Sequence, residues 1–69
     1  MEDAKVLRWR EVARRCGVHS ATVRRWATLP EYAHLQFPRP RQIGPGFSGI
    51  LEHELTAWLM DRPIAGRAA

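Results

Sequence analysis

A mainly α-helical domain with a small β-hairpin is the fold class this sequence predicts, on three observations. Residues 11–26, EVARRCGVHSATVRRW, carry apolar side chains at helical spacing on both sides of a glycine. Residues 41–51, RQIGPGFSGIL, read as two short strand-like pieces around Gly44-Pro45-Gly46. Residues 52–61 return to helical spacing, with Leu51, Leu55, Trp58 and Leu59 on one stripe. Helix, turn, helix, hairpin and helix in that order describe a winged helix-turn-helix.

In chain order, residues 1–5 are a polar start expected to fray. Val6 and Leu7 form a short extended piece, and the first helix begins near Arg8 or Trp9. Glu11 falls in its first turn, where a carboxylate favours the positive end of the helix dipole. The usual Ser, Thr or Asp cap is missing, so this helix depends on tertiary packing. Trp9, Val12, Ala13 and Cys16 are its apolar positions, and Val18, Val23 and Trp26 those of the second helix. Counted from Gly17, a small residue at minus four (Ala13) and apolar residues at minus five, minus one, plus one, plus six and plus nine fill the packing pattern of a helix-turn-helix. Ala13 lets the helices cross closely, Gly17 permits a turn at positive φ, and Val23 and Trp26 anchor the second helix.

His19 or Ser20 caps that second helix, which runs to Ala27 or Thr28 before Pro30 and the residue ahead of it stop it. Residues 31–36 are a connector with room for a helical turn in which Tyr32 and Leu35 pack. Phe37-Pro38-Arg39-Pro40 is extended, because two prolines fix φ and restrict their neighbours. Ile43, Phe47 and Ile50 are expected on the buried side of the hairpin. Glu52 and Glu54 lie at the positive end of the last helix, and Pro63 ends it. Trp9, Val12, Val23, Trp26, Phe47, Leu55 and Trp58 are read as one core. The whole, residues 1–69, is a single domain, ordered over about 6–62 with a flexible tail from 63 to 69.

Composition narrows the function. With 69 residues, 45% hydrophobic and 26% charged, the chain is globular and its core small. It holds no apolar run long enough for a membrane span and no signal-peptide pattern at its start, and its single cysteine fits a reducing, cytoplasmic setting. Residues 5–41 carry nine Lys or Arg against Glu11 and Glu31, while the rest of the chain is net negative. A basic surface that coincides with the helix-turn-helix points to nucleic-acid phosphates; taken alone it would be an ordinary solvated face. Cys16 and His19, with His34 and His53 elsewhere, do not supply the four well-spaced ligands of a structural zinc site. Trp9, Trp26 and Trp58 lie on apolar stripes and read as core anchors rather than stacking platforms. No nucleophile, base and orienting group form a set, so the sequence reads as a binding protein without cofactor or metal, not an enzyme.

Leu7-Arg8-Trp9-Arg10-Glu11-Val12-Ala13, Gly17-Val18, Thr22-Val23 with Arg25, Phe37-Pro38-Arg39-Pro40, and Gly49-Ile50-Leu51-Glu52 with Glu54-Leu55 and Trp58-Leu59 together resemble the AlpA-type phage regulators, relatives of small excisionases and of MerR-type winged helices. The resemblance spans about residues 7–62. It implies regulation of a phage or other mobile element, by transcriptional control or by architectural help to a site-specific recombinase, with RNA polymerase or the recombinase as further partner. His19 stands where the family commonly has a capping Ser, the connector over residues 27–36 is longer than in the shortest members, Ile50 replaces an aromatic, and the wing tip carries no Arg or Lys. A protein-interaction or DNA-packaging adaptor of the terminase small-subunit kind is the alternative.

The candidate contacts follow from position. Ser20, Ala21, Arg24 and Arg25 face base edges, Arg as donor to guanine O6 and N7 and Ala21 toward a thymine methyl. Thr22 bonds backbone groups or phosphate, and either arginine can instead serve phosphate alone. Arg39 and Arg41 flank Pro40 at the entrance to the wing; Arg10, Arg14 and Arg15 are phosphate candidates on the first helix. At least one of these five is an ordinary solvated charge. One such module reads few base pairs, so the expected assembly is a free monomer that binds double-stranded DNA cooperatively at neighbouring sites, with DNA bending from the wing side.

Overall fold

Helix α1, Trp9–Cys16, starts from an extended Arg8 with no side-chain cap, as the residue types dictate. It ends at Gly17 (φ 74°, ψ 28°), whose N–H donates to Arg14 O while the Val18 N–H reaches back to Ala13 O. That pair of bonds is a Schellman closure, and its left-handed residue is where a side chain would be strained. Helix α2, Ser20–Thr28, follows after two residues. His19 is its cap: Nδ1 accepts the Ala21 N–H at 3.2 Å, so the helix starts at Ser20. Leu29 is extended ahead of Pro30, which ends α2 and opens a 3-10 helix, Pro30–Leu35. The structure is a computed structural model in which residues 5–65 are described; the frayed start at 1–4 and the flexible tail at 66–69 lie outside the described residues.

The remaining elements are strand β1, Val6–Leu7, strands β2, Arg41–Gly44, and β3, Phe47–Leu51, and helix α3, Glu52–Met60. β2 and β3 form the expected hairpin, and β1 pairs antiparallel with the other side of β3, giving a three-stranded sheet in the order β1-β3-β2. The pairing Leu7↔Ile50 and Val6↔Leu51 is continued by Glu52 N–H donating to Lys5 O at 2.8 Å. This bond satisfies a first-turn amide of α3, which has no side-chain cap.

The core consists of Leu7, Val12, Ala13, Val23, Phe37, Ile50 and Leu55, with Trp9, Trp26, Trp58 and Leu59 packed around it. Two expectations are corrected here. Phe47 and Ile43 are 50% and 52% exposed, and of the three residues assigned to the buried side of the hairpin only Ile50 is buried. A register shift between Gln42 and Gly44 breaks the period-two alternation that the assignment relied on, leaving Ile43 in the irregular segment. Phe47 is covered by the Arg8 guanidinium, 4.8 Å from its ring centroid. Its place in the core is taken by Phe37, only 7% exposed, which packs edge-on against Trp26 and Trp58 at 5.9 and 4.7 Å between centroids. Gln36 adopts a left-handed conformation (φ 53°) that turns the chain just ahead of Phe37. Trp58 Nε1–H donates to Leu35 O at 2.8 Å and pins the connector to α3.

Ala13 is buried at the packing of α1 against α2. Ala13→Leu is expected to lower stability by about 1–3 kcal/mol through overpacking, read from urea denaturation; an unchanged midpoint would mean that the helices do not meet there.

Candidate nucleic-acid interface

The helix α2 is anchored by Val23, which is fully buried. At about 100° per residue, Ala21 and Arg25 each lie about 160° around the helix from Val23, in the middle of the outward face, whereas Arg24 lies only about 100° away on its flank. Burial follows this wheel: Ala21, Arg24, Arg25 and Thr28 are exposed, and Ser20 and Thr22 are half-buried. The Thr28 hydroxyl donates to Arg24 O at 2.6 Å, so it is turned back on its own helix.

The other candidate arginines differ in how they are held. Arg14 and Arg15 both bind the Glu11 carboxylate, the first through a two-pronged contact and the second at 2.9 Å, and Arg15 also reaches Glu52 at 2.9 Å. Arg41 pairs with Glu54 at 2.7 Å. Arg10, Arg24, Arg25 and Arg39 are exposed and make no ion pair among the described residues. Those four have their charge open to a partner. The three paired ones would have to exchange a carboxylate for a phosphate.

Hydrogen bonds from Arg14 and then Arg15 hold the Glu11 carboxyl at a pKa of about 2, against an ordinary value of 4.5. A carboxyl depressed in the folded state stabilises the fold above its unfolded pKa, and the contribution is lost as pH falls through the folded value. The wild type is therefore expected to lose stability between about pH 4.5 and 2, and Glu11→Gln to show a shallower acid dependence in the same window. Carboxyl carbon shifts followed by NMR measure the titration directly; a Glu11 midpoint in the ordinary carboxylate range would remove the ion-pair network.

The fold brings the candidates together in two places. Arg10, Arg14 and Arg24 line a hollow beside α1 with Arg8, Trp9 and Glu11. Arg24 lies with its guanidinium 5.4 Å from the Trp9 ring centroid, and Trp9 Nε1–H donates to Ser48 Oγ at 3.3 Å. Arg39 and Arg41 lie elsewhere, in a broad groove between the 3-10 helix, the proline-rich segment and α3, whose walls include Tyr32, Trp58, Glu54 and Asp61. Arg8 was not among the residues the sequence singled out for contact. Its adjacency to Trp9 was a signal, but one that means something only once α2 is seen crossing over Trp9.

Cys16 and His19, the C-x-x-H pair, have separate duties. Cys16 packs against the core, where burial pushes its thiol pKa up, and His19 caps α2. Among the described residues no group of three or more His, Cys, Asp or Glu is placed to hold a metal ion, and no helix is long and apolar enough to cross a membrane. No family model, curated protein or solved structure matches the chain.

Proposed function

We propose that this protein is a sequence-specific double-stranded-DNA-binding protein of the winged helix-turn-helix class, with α2 as recognition helix and the β2–β3 hairpin as wing. Within that class, the resemblance of its motifs to AlpA-type regulators favours a regulator of a phage or other mobile element, acting on transcription or assisting a recombinase. It works by binding and carries out no catalysis. The observation that supports this reading best is the outward face of α2, where Ala21 and Arg25 stand unobstructed opposite the buried Val23 on a helix fixed by the Gly17 turn. An α-helix with such a face fits the major groove, where base edges present distinct donor and acceptor patterns.

The test is selection of duplexes from a randomised library, followed by titration of the winner and of a scrambled duplex. Arg25→Ala is expected to cost about 1–3 kcal/mol on the selected duplex and to relax preference at one base pair, with the circular dichroism of the fold unchanged. Failure of the wild type to enrich any sequence would remove the reading. Because one recognition helix contacts few base pairs, copies are expected to bind tandem sites cooperatively, which duplexes carrying one and two sites compare.

A further inference from the structure

The two adjacent arginines of α2 occupy different environments. Arg25 stands in the middle of the outward face, with no ion pair among the described residues and no aromatic ring stacked beneath it. Arg24 leaves the flank of the helix toward the start of α1, over the face of Trp9. There it joins Arg8, Arg10 and Arg14 around a hollow whose acidic member, Glu11, is already engaged by Arg14 and Arg15. Four guanidinium groups against one neutralised carboxylate leave that hollow strongly positive. Stacking on Trp9 restricts Arg24, and the indole is itself held through Ser48 of β3, so the group is ordered before any ligand arrives.

We infer that the hollow bounded by Arg8, Trp9, Arg10, Arg14 and Arg24 is a clamp for a backbone phosphodiester of the bound duplex, so that Arg24 serves phosphate while its neighbour Arg25 reads bases. The inference rests on the DNA-binding reading and divides labour within it. A guanidinium offers paired donors that match two phosphate oxygens, and a phosphate site at the flank of a recognition helix sets that helix's register along the groove without carrying sequence information. Arg25, with Ala21 beside it on the same face, is left to discriminate.

The division is tested by anisotropy titrations of wild type, Arg10→Ala, Arg24→Ala and Arg25→Ala on the selected duplex and on a scrambled one, at several salt concentrations. Arg24→Ala and Arg10→Ala are each expected to weaken binding to both duplexes by the same factor, about tenfold, and to lower the slope of log affinity against log salt by about one. Arg24→Lys, which keeps the charge, is expected to retain most of the slope. Arg25→Ala is expected to act on the selected duplex and leave the scrambled one nearly unchanged. NMR spectra of the Trp9 indole and arginine Nε–H groups identify the source of the phosphate: shifts on adding duplex that inorganic phosphate at matched concentration does not produce support the clamp, and shifts with inorganic phosphate but none with duplex overturn it. Loss of selectivity in Arg24→Ala at an unchanged salt slope would also overturn this assignment while leaving DNA binding intact. A wild type with no affinity for either duplex at low salt would end both.

Discussion

Phe37→Ala is expected to unfold most of the protein at physiological temperature. The ring is almost completely buried and stands edge-on to both Trp26 and Trp58, which are themselves 6.0 Å apart between centroids. Truncating such a residue costs about 3–5 kcal/mol from lost burial and the cavity left behind, and the aromatic contacts add about 0.5–1.5 kcal/mol for each pair. A domain of this size has about 3–5 kcal/mol in all. The measurement is a urea or thermal melt followed by tryptophan fluorescence, with Phe47→Ala as the comparison. Phe47 is half exposed with an arginine stacked over it, and its removal should change stability by about 0.5 kcal/mol or less, as for other surface sites. Equal losses at the two positions would contradict this core.

Gly49→Ala is expected to have the next largest effect. A Cβ at position 49 would lie 2.4 Å from Leu7 O and 2.7 Å from Val6 Cγ1, and the first of these is backbone that cannot swing aside. β1 has two residues and is held by its pairing with β3, by Leu7 in the core and by the Lys5 carbonyl. Moving it away from β3 strains all three. The expected loss is about 1–3 kcal/mol, as for other overpacked sites, together with faster amide exchange in β1 and at Glu52. Wild-type stability with unchanged exchange would mean that β1 does not run against Gly49.

Much of the fold was legible because it is written in local spacing. Residues three and four apart share a helix face, so the stripes of α1, α2 and α3 could be read directly, and Pro30 and Gly17 mark their ends by restricting or freeing φ. The Glu11 pairs with Arg14 and Arg15 belong to the same class, being i,i+3 and i,i+4 neighbours. The 3-10 helix was legible only as room for a turn, because a six-residue connector has no periodicity to read.

What local spacing cannot express is which segments meet. Two residues are too few to show alternation, so β1 could be recognised as extended but not as the third strand of the sheet. Phe37 and Phe47 both sit beside Pro or Gly in extended chain, and nothing near either says which faces inward. The left-handed turn at Gln36 and the register shift in β2 decide it. Arg24 and Arg25 are likewise equivalent as residue types. The sequence by itself determined the helices, their ends, the hairpin and the basic character of the first half of the chain, since each depends on neighbours within about one turn. The tertiary structure alone decided the identity of the core phenylalanine, the pairing of Arg15 with Glu52 and of Arg41 with Glu54, and the separation of Arg24 from Arg25. Each of these depends on contacts between residues distant in the chain, where helix crossing and strand pairing set the geometry.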